Sequence, residues 1–519
     1  MKQAENLVNR KAGIRTWIGL AVLALPALLI SIDVSVMILA LPHIGADLGA
    51  NGVEQLWIMD IYGFTLSGFL ITMGTLGDRI GRRMLLMLGG AGFCLASVAA
   101  AFSPSPEMLI AARAVLGIAG ATVAPSTLAL ISYMFHDHKE RSLAFGIWMA
   151  CSMGGMALGP VVGGAMLAHY WWGSIFLLGV PVMVLLLITA PALLPEYKMP
   201  EAGTLDAASI VLSLAAILSF IYGLKKIAVD GPQPVPLCSV TAGVALGLIF
   251  VRRQRRLHDP LIDLRLFNNP AFSAALGGMF GITLTGAVML YVAQHLQLVQ
   301  GMSPIQAALW MLPSVIASMS GMLLSPLIAR RIRPALLIGC GLAVSATGCF
   351  LLSEVDTKTG LASLVIGYIL FNMGASPLVS LSGDLVVGSA PPEKAGAAAA
   401  LLQTSGEFAF ALGIAALGSL GTFVYHNHIA ASIPPDMPKL AVLTTQDSLA
   451  GVIAVAEKLP GNLSAKLLEF AYEAFIDGMH AVAMASGVIM CSVAALILVR
   501  LRHIQPIGQI SPKESKQQH

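Results

Sequence analysis

The segment Gly155-Met-Ala-Leu-Gly159-Pro160-Val-Val-Gly163-Gly164 lies inside a long apolar stretch and indicates a membrane-spanning helix. Five glycine or proline residues in ten positions would strongly destabilise a helix in water. In a bilayer, neighbouring helices and close backbone contacts satisfy the groups that such residues disturb. The pattern therefore predicts a helix bent at Pro160, with a smooth face against which another helix can rock. A lone Gly-x-x-x-Gly would indicate ordinary helix packing, but the full spacing is more specific.

The composition excludes an ordinary soluble protein. Of the 519 residues, 57% are hydrophobic and 11% are charged, with a mean hydropathy of +0.82, whereas soluble proteins have about 25% charged residues. The apolar residues form runs long enough to cross a bilayer. We predict an all-α polytopic membrane protein whose first helix is retained, not cleaved as a signal peptide. Its fourteen predicted spans are approximately 14–41, 55–76, 84–103, 107–133, 142–167, 173–194, 206–226, 236–252, 271–299, 305–329, 335–353, 361–388, 396–421 and 476–501.

The distribution of lysine and arginine predicts the orientation, because both are enriched in cytoplasmic loops. With the N-terminus inside, Arg113 lies in the membrane and six lysines lie outside. These are Lys225, Lys226, Lys358, Lys439, Lys458 and Lys466. All the other lysines and arginines then face the cytoplasm, so both termini are expected to be cytoplasmic.

Two six-helix halves are predicted, over residues 1–200 and 270–519. A proline and a charged loop precede the glycine-rich fifth span, and a similar arrangement precedes the thirteenth span about half a chain later, which suggests a duplication. Residues 201–269 then form an inserted two-helix hairpin and a cytoplasmic link, for which charge anchoring alone is a sufficient explanation. Over residues 422–475 we predict an external hairpin of two amphipathic helices, at 446–459 and 463–476. This hairpin is either a gate or a passive connector.

The loop between the second and third spans combines glycines with charges. Its motif residues are Gly74, Gly77, Asp78, Arg79, Gly81 and Arg82. The glycines permit a tight turn, an aspartate near the start of the third span complements the helix dipole, and the arginines reach carboxylates and lipid phosphates. The cluster is expected to hold the cytoplasmic side closed in one state and to release it in another. Topological anchoring alone would require neither the glycines nor the aspartate.

Two opposite charges lie at similar depth in the first and fourth spans. Counting 1.5 Å per residue places Asp33 and Arg113 about 10 Å below the outer surface, so we expect them to meet. Arg113 is the one lysine or arginine that the predicted topology places deep in a span. A static ion pair is the alternative, but ionisable groups in membranes are usually functional, which favours a role in proton coupling.

A further carboxylate, Glu407, lies near the middle of the thirteenth span. Its aromatic neighbours favour the binding of a hydrophobic cation, although a carboxyl group satisfied within the core is the alternative. Asp60, one turn into the second span, either lines an outward vestibule or faces water. Tyr291 and Trp148 are less readily explained as interfacial anchors than the other aromatic residues. The predicted substrate-binding residues are Glu407, Asp60, Phe408, Phe410, Tyr291 and Trp148.

No motif predicts a cofactor, a metal site, a nucleic-acid partner or an enzymatic activity. The six cysteines lie within or beside apolar segments without a Cys-x-x-Cys pair. The histidine clusters at 136–138 and 426–428 are expected in loops, and no set of thiolates or carboxylates completes a metal site at either. The chain has no phosphate-binding Gly-x-x-x-x-Gly-Lys-[Ser/Thr] loop and no nucleophile–base pair. ATP-driven transport and catalysis are therefore disfavoured.

Together these motifs resemble those of the fourteen-helix drug:proton antiporter family of the major facilitator superfamily, and the similarity is nearest to the QacA/SmvA-type exporters of quaternary ammonium compounds. The loop at 74–83 resembles the superfamily's signature loop, and the segment at 155–164 resembles the fifth-helix antiporter motif. Residues 33–42 are similar to the first-helix aspartate motif, with Met37-Ile38 in place of the usual Val-Asn. Arg113 and Gly117 are similar to the fourth-helix motif, with Leu116 where glutamine is common.

This resemblance covers nearly the whole chain and implies the proton-coupled export of lipophilic cations by alternating access. In that mechanism, Glu407 binds the cation, and protons that neutralise Glu407 and Asp33 release it. The implied location is the bacterial cytoplasmic (inner) membrane, and the implied partners are small lipophilic cations, protons and membrane lipids, with the protein as a monomer. The alternative is a permease or exporter of another small solute, by uniport or linked to an anion.

Overall fold

The computed structural model describes residues 12–135, 137–198, 206–231, 233–257, 260, 264–356, 361–387, 389, 395–432, 449–456 and 461–502. These residues form helices, turns and loops, without a strand in the described ranges. The helices are α1 Ile14–Leu48, α2 Gly52–Ile80, α3 Arg82–Ala101, α4 Pro106–Gly120, α5 Val123–Met134, α6 His138–His169, α7 Ser174–Leu177, α8 Gly179–Leu193, α9 Ala207–Asp230, α10 Pro234–Arg256, α11 Pro270–Leu284, α12 Ala287–Gln294, α13 Pro304–Ala329, α14 Pro334–Leu352, α15 Leu361–Val387, α16 Ala395–Ser432, α17 Leu449–Ala456 and α18 Gly461–Arg500.

The helices confirm the predicted all-α, multi-pass architecture. In the described part of the chain, twelve helical segments are long and apolar enough to cross a membrane, and the number reaches fourteen when the bent pairs in α2 and α6 each count as one span. The α6 pair is bent by 42° between Met156 and Leu158. Pro160 lies in this helix and cannot donate the hydrogen bond to the carbonyl of Met156, so the bend has the cause that the sequence predicts.

The region of the predicted external hairpin differs from its expected form. The last helix, α18, has 40 residues and continues without a break through position 476, where the hairpin was expected to meet the last span. No proline interrupts this stretch, so nothing removes a backbone hydrogen bond there. A helix of this length is about 60 Å long, twice the thickness of the hydrocarbon core. The short helix α17 packs against α18, and the predicted turn at Pro460 lies outside the described residues.

The glycine-rich face of α6 packs directly on α1. A Cβ atom added to Gly155 or Gly159 would overlap with α1, at the Leu28 carbonyl and the Ser35 side chain respectively. Gly163 continues the same face, where an added Cβ would lie 2.6 Å from Cγ1 of Val36. The absence of side chains thus allows the two backbones to approach closely, as small-residue packing in membranes requires.

The last motif glycine, Gly164, faces the other half of the molecule. A Cβ there would lie 2.8 Å from the Ile305 Cα at the start of α13. The two halves also meet where α2 crosses α16, because a Cβ on Gly63 would lie 2.8 Å from that of Ala411. At the end of the bundle predicted to be external, both halves and α17 enclose a small cavity of about 70 Å³.

The inserted hairpin, formed by α9 and α10, contacts both halves. Glycines at 223 and 243 bring the backbones of α9 and α10 together, and α9 packs against both α2 and α16. At the base of the hairpin, Arg253 forms a bidentate ion pair with Asp206, with N···O distances of 2.8 and 3.1 Å. Asp206 also caps α9 by accepting a hydrogen bond from the Ser209 backbone N–H. The guanidinium of Arg253 lowers the pKa of Asp206 to about 2.

Candidate functional site

The structure pairs Asp33 with Arg113, as their depths in the sequence predict. Arg113 Nη1 lies 2.9 Å from Asp33 Oδ2, and Arg113 Nε donates a 3.1 Å hydrogen bond to the carbonyl of Ile58. The guanidinium carbon also lies 4.7 Å from the ring centroid of Tyr62. Arg113 is 1% exposed and Asp33 is 10% exposed. Three neighbouring groups therefore hold this cation in a fixed orientation, and its part in proton coupling stays a prediction.

Asp60 lies in a different environment from either of the two predicted for it. It neither lines an open vestibule nor faces water, because its side chain is fully buried against that of Lys225. Lys225 Nζ lies 2.8 Å from Asp60 Oδ2 and 4.2 Å from the centroid of the Trp57 ring. The structure therefore places Lys225, which was expected on the external side, in the interior of the helix bundle, and Arg113 is not alone as a buried cation among the described residues.

The local sequence explains both corrections. The helix α2 starts at Gly52, where a capping box formed by Asn51 and Glu54 satisfies its first N–H groups, so Asp60 lies two turns inside the helix. The helix α9 continues to Asp230 and ends before Gly231. Lys225 thus continues the stripe that begins at Leu214 and includes Ile217 and Ile221, with spacings of three and four residues. This periodicity was the signal that could have identified Lys225 as inward-facing.

Glu407 lies in α16 and is half-buried. Its carboxylate accepts a 3.0 Å hydrogen bond from Gln403 Nε2, one turn earlier. Unlike Asp33 and Asp60, it has no lysine or arginine partner within the described part of the chain. One turn beyond Glu407, Ala411 packs against Gly63 of α2. Glu407 therefore lies close to the crossing of α2 and α16.

An apolar cavity of about 490 Å³ lies beside this crossing, between α2, α9, α10 and α16. Its walls include Ser67, Ile217, Leu248, Thr404 and Phe408. The volume is within the range of pockets that hold drug-sized molecules. The cavity lies on the side of Asp60 that faces the predicted cytoplasmic end of α2, and the inserted hairpin supplies much of its lining.

The aromatic residues predicted to bind substrate are at separate places. Phe408 lines the cavity, with its ring centroid 6.4 Å from that of Phe64. Phe410 instead packs against Gly286. Tyr291 lines the small external cavity and stacks on Phe475 with a centroid separation of 5.6 Å. Trp148 is buried in α6, and its indole N–H finds no hydrogen-bond acceptor among the described residues. Of the predicted binding set, Phe408 lines the cavity and Glu407 precedes it in α16. Asp60 is buried against Lys225, and the other three residues lie elsewhere.

The segment predicted as a loop at 74–83 is helical except at Gly81, where α2 meets α3 of the first half. Gly81, with φ of +114°, ends α2 in a conformation that favours glycine, so Asp78 is in the last turn of α2 and not at the start of the next helix as predicted. Asp78 instead binds Arg82 of α3 at 2.5 Å. Arg83 binds Glu196 at 3.5 Å, beyond the end of α8. These contacts all lie within residues 1–200.

A known family model matches most of the chain. The family model described as Major Facilitator Superfamily matches residues 23–414, from α1 with Asp33 to α16 with Glu407. The chain belongs to the major facilitator superfamily. Members of the superfamily are transport proteins, so this protein is a multi-pass membrane transporter and not an enzyme.

Drug-resistance proteins of the superfamily resemble this chain over nearly their whole length. It is 38% identical to the multidrug efflux pump LfrA of Mycolicibacterium smegmatis over 94% of this chain and 97% of the relative. It is 35% identical to the methyl viologen resistance protein SmvA of Salmonella typhimurium over 91% and 95% of the two chains. The tetracenomycin C resistance and export protein of Streptomyces glaucescens is 28% identical, over 96% and 94%.

Solved structures of superfamily-type transporters share the fold. A bacterial homologue of the human lysosomal transporter Spinster, in an inward-facing and unoccupied conformation, has a TM-score of 0.66 at 16% identity and covers 97% of this chain and 100% of its own. A peptide transporter of the POT type has a TM-score of 0.60 at 18% identity, over 93% and 95% of the two chains. At these identities the comparison supports the helical architecture alone.

Proposed function

We propose that this protein is a proton-coupled antiporter that exports lipophilic cations by alternating access. The relatives named for multidrug efflux and methyl viologen resistance support drug export as the general function. The observation that carries the cation assignment is Glu407, a membrane carboxylate without a cationic partner among the described residues, whose neighbour in α16, Phe408, lines a 490 Å³ apolar cavity. A lipophilic cation has the complementary chemistry, because its apolar body fills the cavity while its charge meets the carboxylate.

Proton coupling follows from the charge of Glu407. The ionised carboxylate attracts the substrate cation, and a proton taken from the external side neutralises it and weakens that attraction. Asp33 is the second proton acceptor in this proposal, since protonation would release it from Arg113 and change the contacts of α1. The return of the empty transporter carries the protons inward.

The conformational change is proposed to use the glycine faces. The contact of Gly164 with Ile305 brings the halves together at the predicted external end. The substrate cavity lies on the opposite side of Asp60, which fits a state that receives substrate from the cytoplasm. Glycines form the contact of α6 with α1, so these two helices can tilt against each other without first separating interlocked side chains. In this scheme the Asp78–Arg82 loop moves with the first half as one unit.

The setting proposed for this activity is the bacterial inner membrane, with both termini in the cytoplasm and the protein acting as a monomer. Protons and small lipophilic cations are its transported partners. Arginines near the predicted cytoplasmic ends of the helices, such as Arg330 and Arg331, suit contacts with anionic lipid head groups.

Proteoliposomes that hold a proton gradient and a pH-quenched dye test the proposal. Addition of tetraphenylphosphonium or methyl viologen should release the quenching with the native protein. Asp33→Asn and Glu407→Gln should each abolish that release. Full cation-coupled proton movement by Glu407→Gln would remove the central step of the mechanism. A folded native protein that responds to no cation would favour the alternative, a permease or exporter of another small solute.

A further inference from the structure

The ammonium group of Lys225 occupies the position that a cationic ligand would take beside Asp60 and Trp57. It lies 2.8 Å from a carboxylate oxygen of Asp60 and 4.2 Å from the centre of the Trp57 ring. A carboxylate combined with an aromatic face is the arrangement by which proteins recognise organic cations. We propose that Asp60 and Trp57 form a second cation subsite, that the Lys225 ammonium fills it as a tethered counter-cation, and that one charge of a dicationic substrate displaces Lys225. This inference rests on the proposed cation export.

The Asp60–Lys225 contact is one in which another cation could replace the lysine. Both side chains are fully buried, yet within the described residues neither Lys225 Nζ nor either oxygen of Asp60 forms a hydrogen bond of regular geometry. A buried ion pair compensates for its lost hydration only when good geometry and further hydrogen bonds support it. The pair therefore depends on one ammonium–carboxylate contact of 2.8 Å and on the aromatic face, so an incoming cation would have to replace this single contact and not a wider set of hydrogen bonds.

The subsite is adjacent to the proposed substrate cavity. On α2, Asp60 is followed one turn later by Phe64, which packs with Ile221 of α9 and with Phe408 of α16. Phe408 lines the cavity. A single apolar layer thus separates the cavity from the Asp60–Lys225 pair. Rotation of Phe64 or Phe408 would join the two spaces, and a rigid substrate with two charges could then reach both Glu407 and Asp60.

The chemistry of lysine suits this role. Its charge is carried on a flexible four-carbon chain and can move away without a change in the helix, whereas a guanidinium is fixed by its planar set of donors. Lys225 also lies on the inserted hairpin, which contacts both halves. With Lys225 in place, Asp60 offers no net charge to a substrate. A substrate with one charge has Glu407 available, and only a dication gains from Asp60.

Binding measurements on the purified full-length protein test this inference, with methyl viologen as the dication and tetraphenylphosphonium as the monocation. Lys225→Met should tighten methyl viologen binding at least about tenfold, which corresponds to about 1.4 kcal/mol, and should change tetraphenylphosphonium binding about twofold or less. Lys226→Met is the matched control, since it removes the same charge from the next position of α9, and it should change neither affinity. Lys225→Arg should weaken methyl viologen binding, because a guanidinium can hold Asp60 through two hydrogen bonds.

A double variant separates the subsite from a purely structural pair. Asp60→Asn combined with Lys225→Met should lose the gain in methyl viologen affinity while unfolding within a few degrees of the native protein. Unchanged or weaker methyl viologen binding by folded Lys225→Met would overturn the inference. If Lys225→Met does not fold, a Lys225→Arg protein that binds methyl viologen as tightly as the native one would overturn it equally. Failure of the native protein to bind either cation would instead refute the proposed function.

Discussion

The buried ion pairs Asp33–Arg113 and Asp60–Lys225 differ in how completely their cations are bound. Arg113 is held by Asp33, by the carbonyl of Ile58 and by the face of Tyr62. Lys225 has one carboxylate oxygen and one aromatic face, without a hydrogen bond of regular geometry among the described residues. The first pair joins helices of one half. The second joins that half to the inserted hairpin.

This difference indicates that burial alone does not define the role of an ion pair. A guanidinium with three fixed partners fixes the relative positions of α1, α2 and α4, so its loss affects the fold as well as transport. An ammonium with two partners at the edge of a cavity can be displaced. The two pairs should therefore respond differently when their cations are removed.

The largest expected effect is that of Arg113→Leu. This change leaves the Asp33 carboxylate buried without its cation, which typically costs about 3–5 kcal/mol. We expect a large fall in the thermal unfolding temperature in detergent and loss of cation-driven proton release. Asp33→Asn combined with Arg113→Leu should recover much of the stability but not the transport.

Lys225→Met provides the comparison for that prediction. It should lower the unfolding temperature less than Arg113→Leu, because fewer bonds are lost. Equal destabilisation by the two single variants would mean that both pairs are structural anchors, and the distinction between them would be lost.

The second prediction concerns a contact between the halves that involves no charge. Gly164→Val places a branched side chain where even a Cβ would lie 2.8 Å from Ile305, and overpacking of this kind costs about 1–3 kcal/mol. The two halves meet at this contact. The change should therefore destabilise the conformation in which they meet more than it destabilises the folded protein as a whole. Transport should fall, while the unfolding temperature changes little.

A neighbouring glycine supplies the control for this contact. Gly154→Ala lies on the same helix, but an added Cβ there has no heavy atom within 4 Å. It should transport like the native protein. Cysteine labelling at a position lining the external cavity, such as Gln55, should become faster in Gly164→Val. Unchanged labelling together with native transport would show that the contact does not control access.

The sequence was sufficient for the features that depend on local chemistry. The long apolar runs predict the helices, Pro160 predicts the bend in α6, and the similar depths of Asp33 and Arg113 predict their contact. Each of these follows from hydrophobic length, a missing N–H group or a simple count of helical rise. Such quantities do not require knowledge of how distant helices pack.

The sequence was insufficient where packing between distant segments decides the result. The sequence places Lys225 on the external side, at the end of the span predicted over 206–226, whereas the charge of Asp60, about 165 residues earlier, compensates for its burial inside the bundle. Phe410 neighbours Glu407 in sequence but packs against Gly286. Side chains three residues apart lie on nearly the same face of a helix, but the Phe410 ring is taken up by its contact with Gly286, so proximity to Glu407 in sequence did not define its surroundings.

The smallest expected effect is at the partly exposed Asp206–Arg253 pair, which lies within the hairpin that also carries Lys225. Asp206→Asn retains part of the cap of α9 but loses the charge, so the cost should be about 1 kcal/mol or less after screening by solvent. The folded-state pKa of Asp206, about 2, is below its ordinary value of 3.8. Its contribution is therefore complete above pH 4 and is lost as the pH falls towards 2.

The matching measurement is the difference in unfolding temperature between the native protein and Asp206→Asn across this pH range. The difference should be constant from pH 7 to pH 5 and should shrink below pH 4, as protonation makes the native carboxyl group resemble the amide. High salt should reduce it as well, since the pair is partly exposed. A difference that persists unchanged at pH 3 and in high salt would mean that Asp206 acts through its cap on α9 and not through the charge of Arg253. The bases of α9 and α10 would then be held together by the packing of these two helices, without help from their charges.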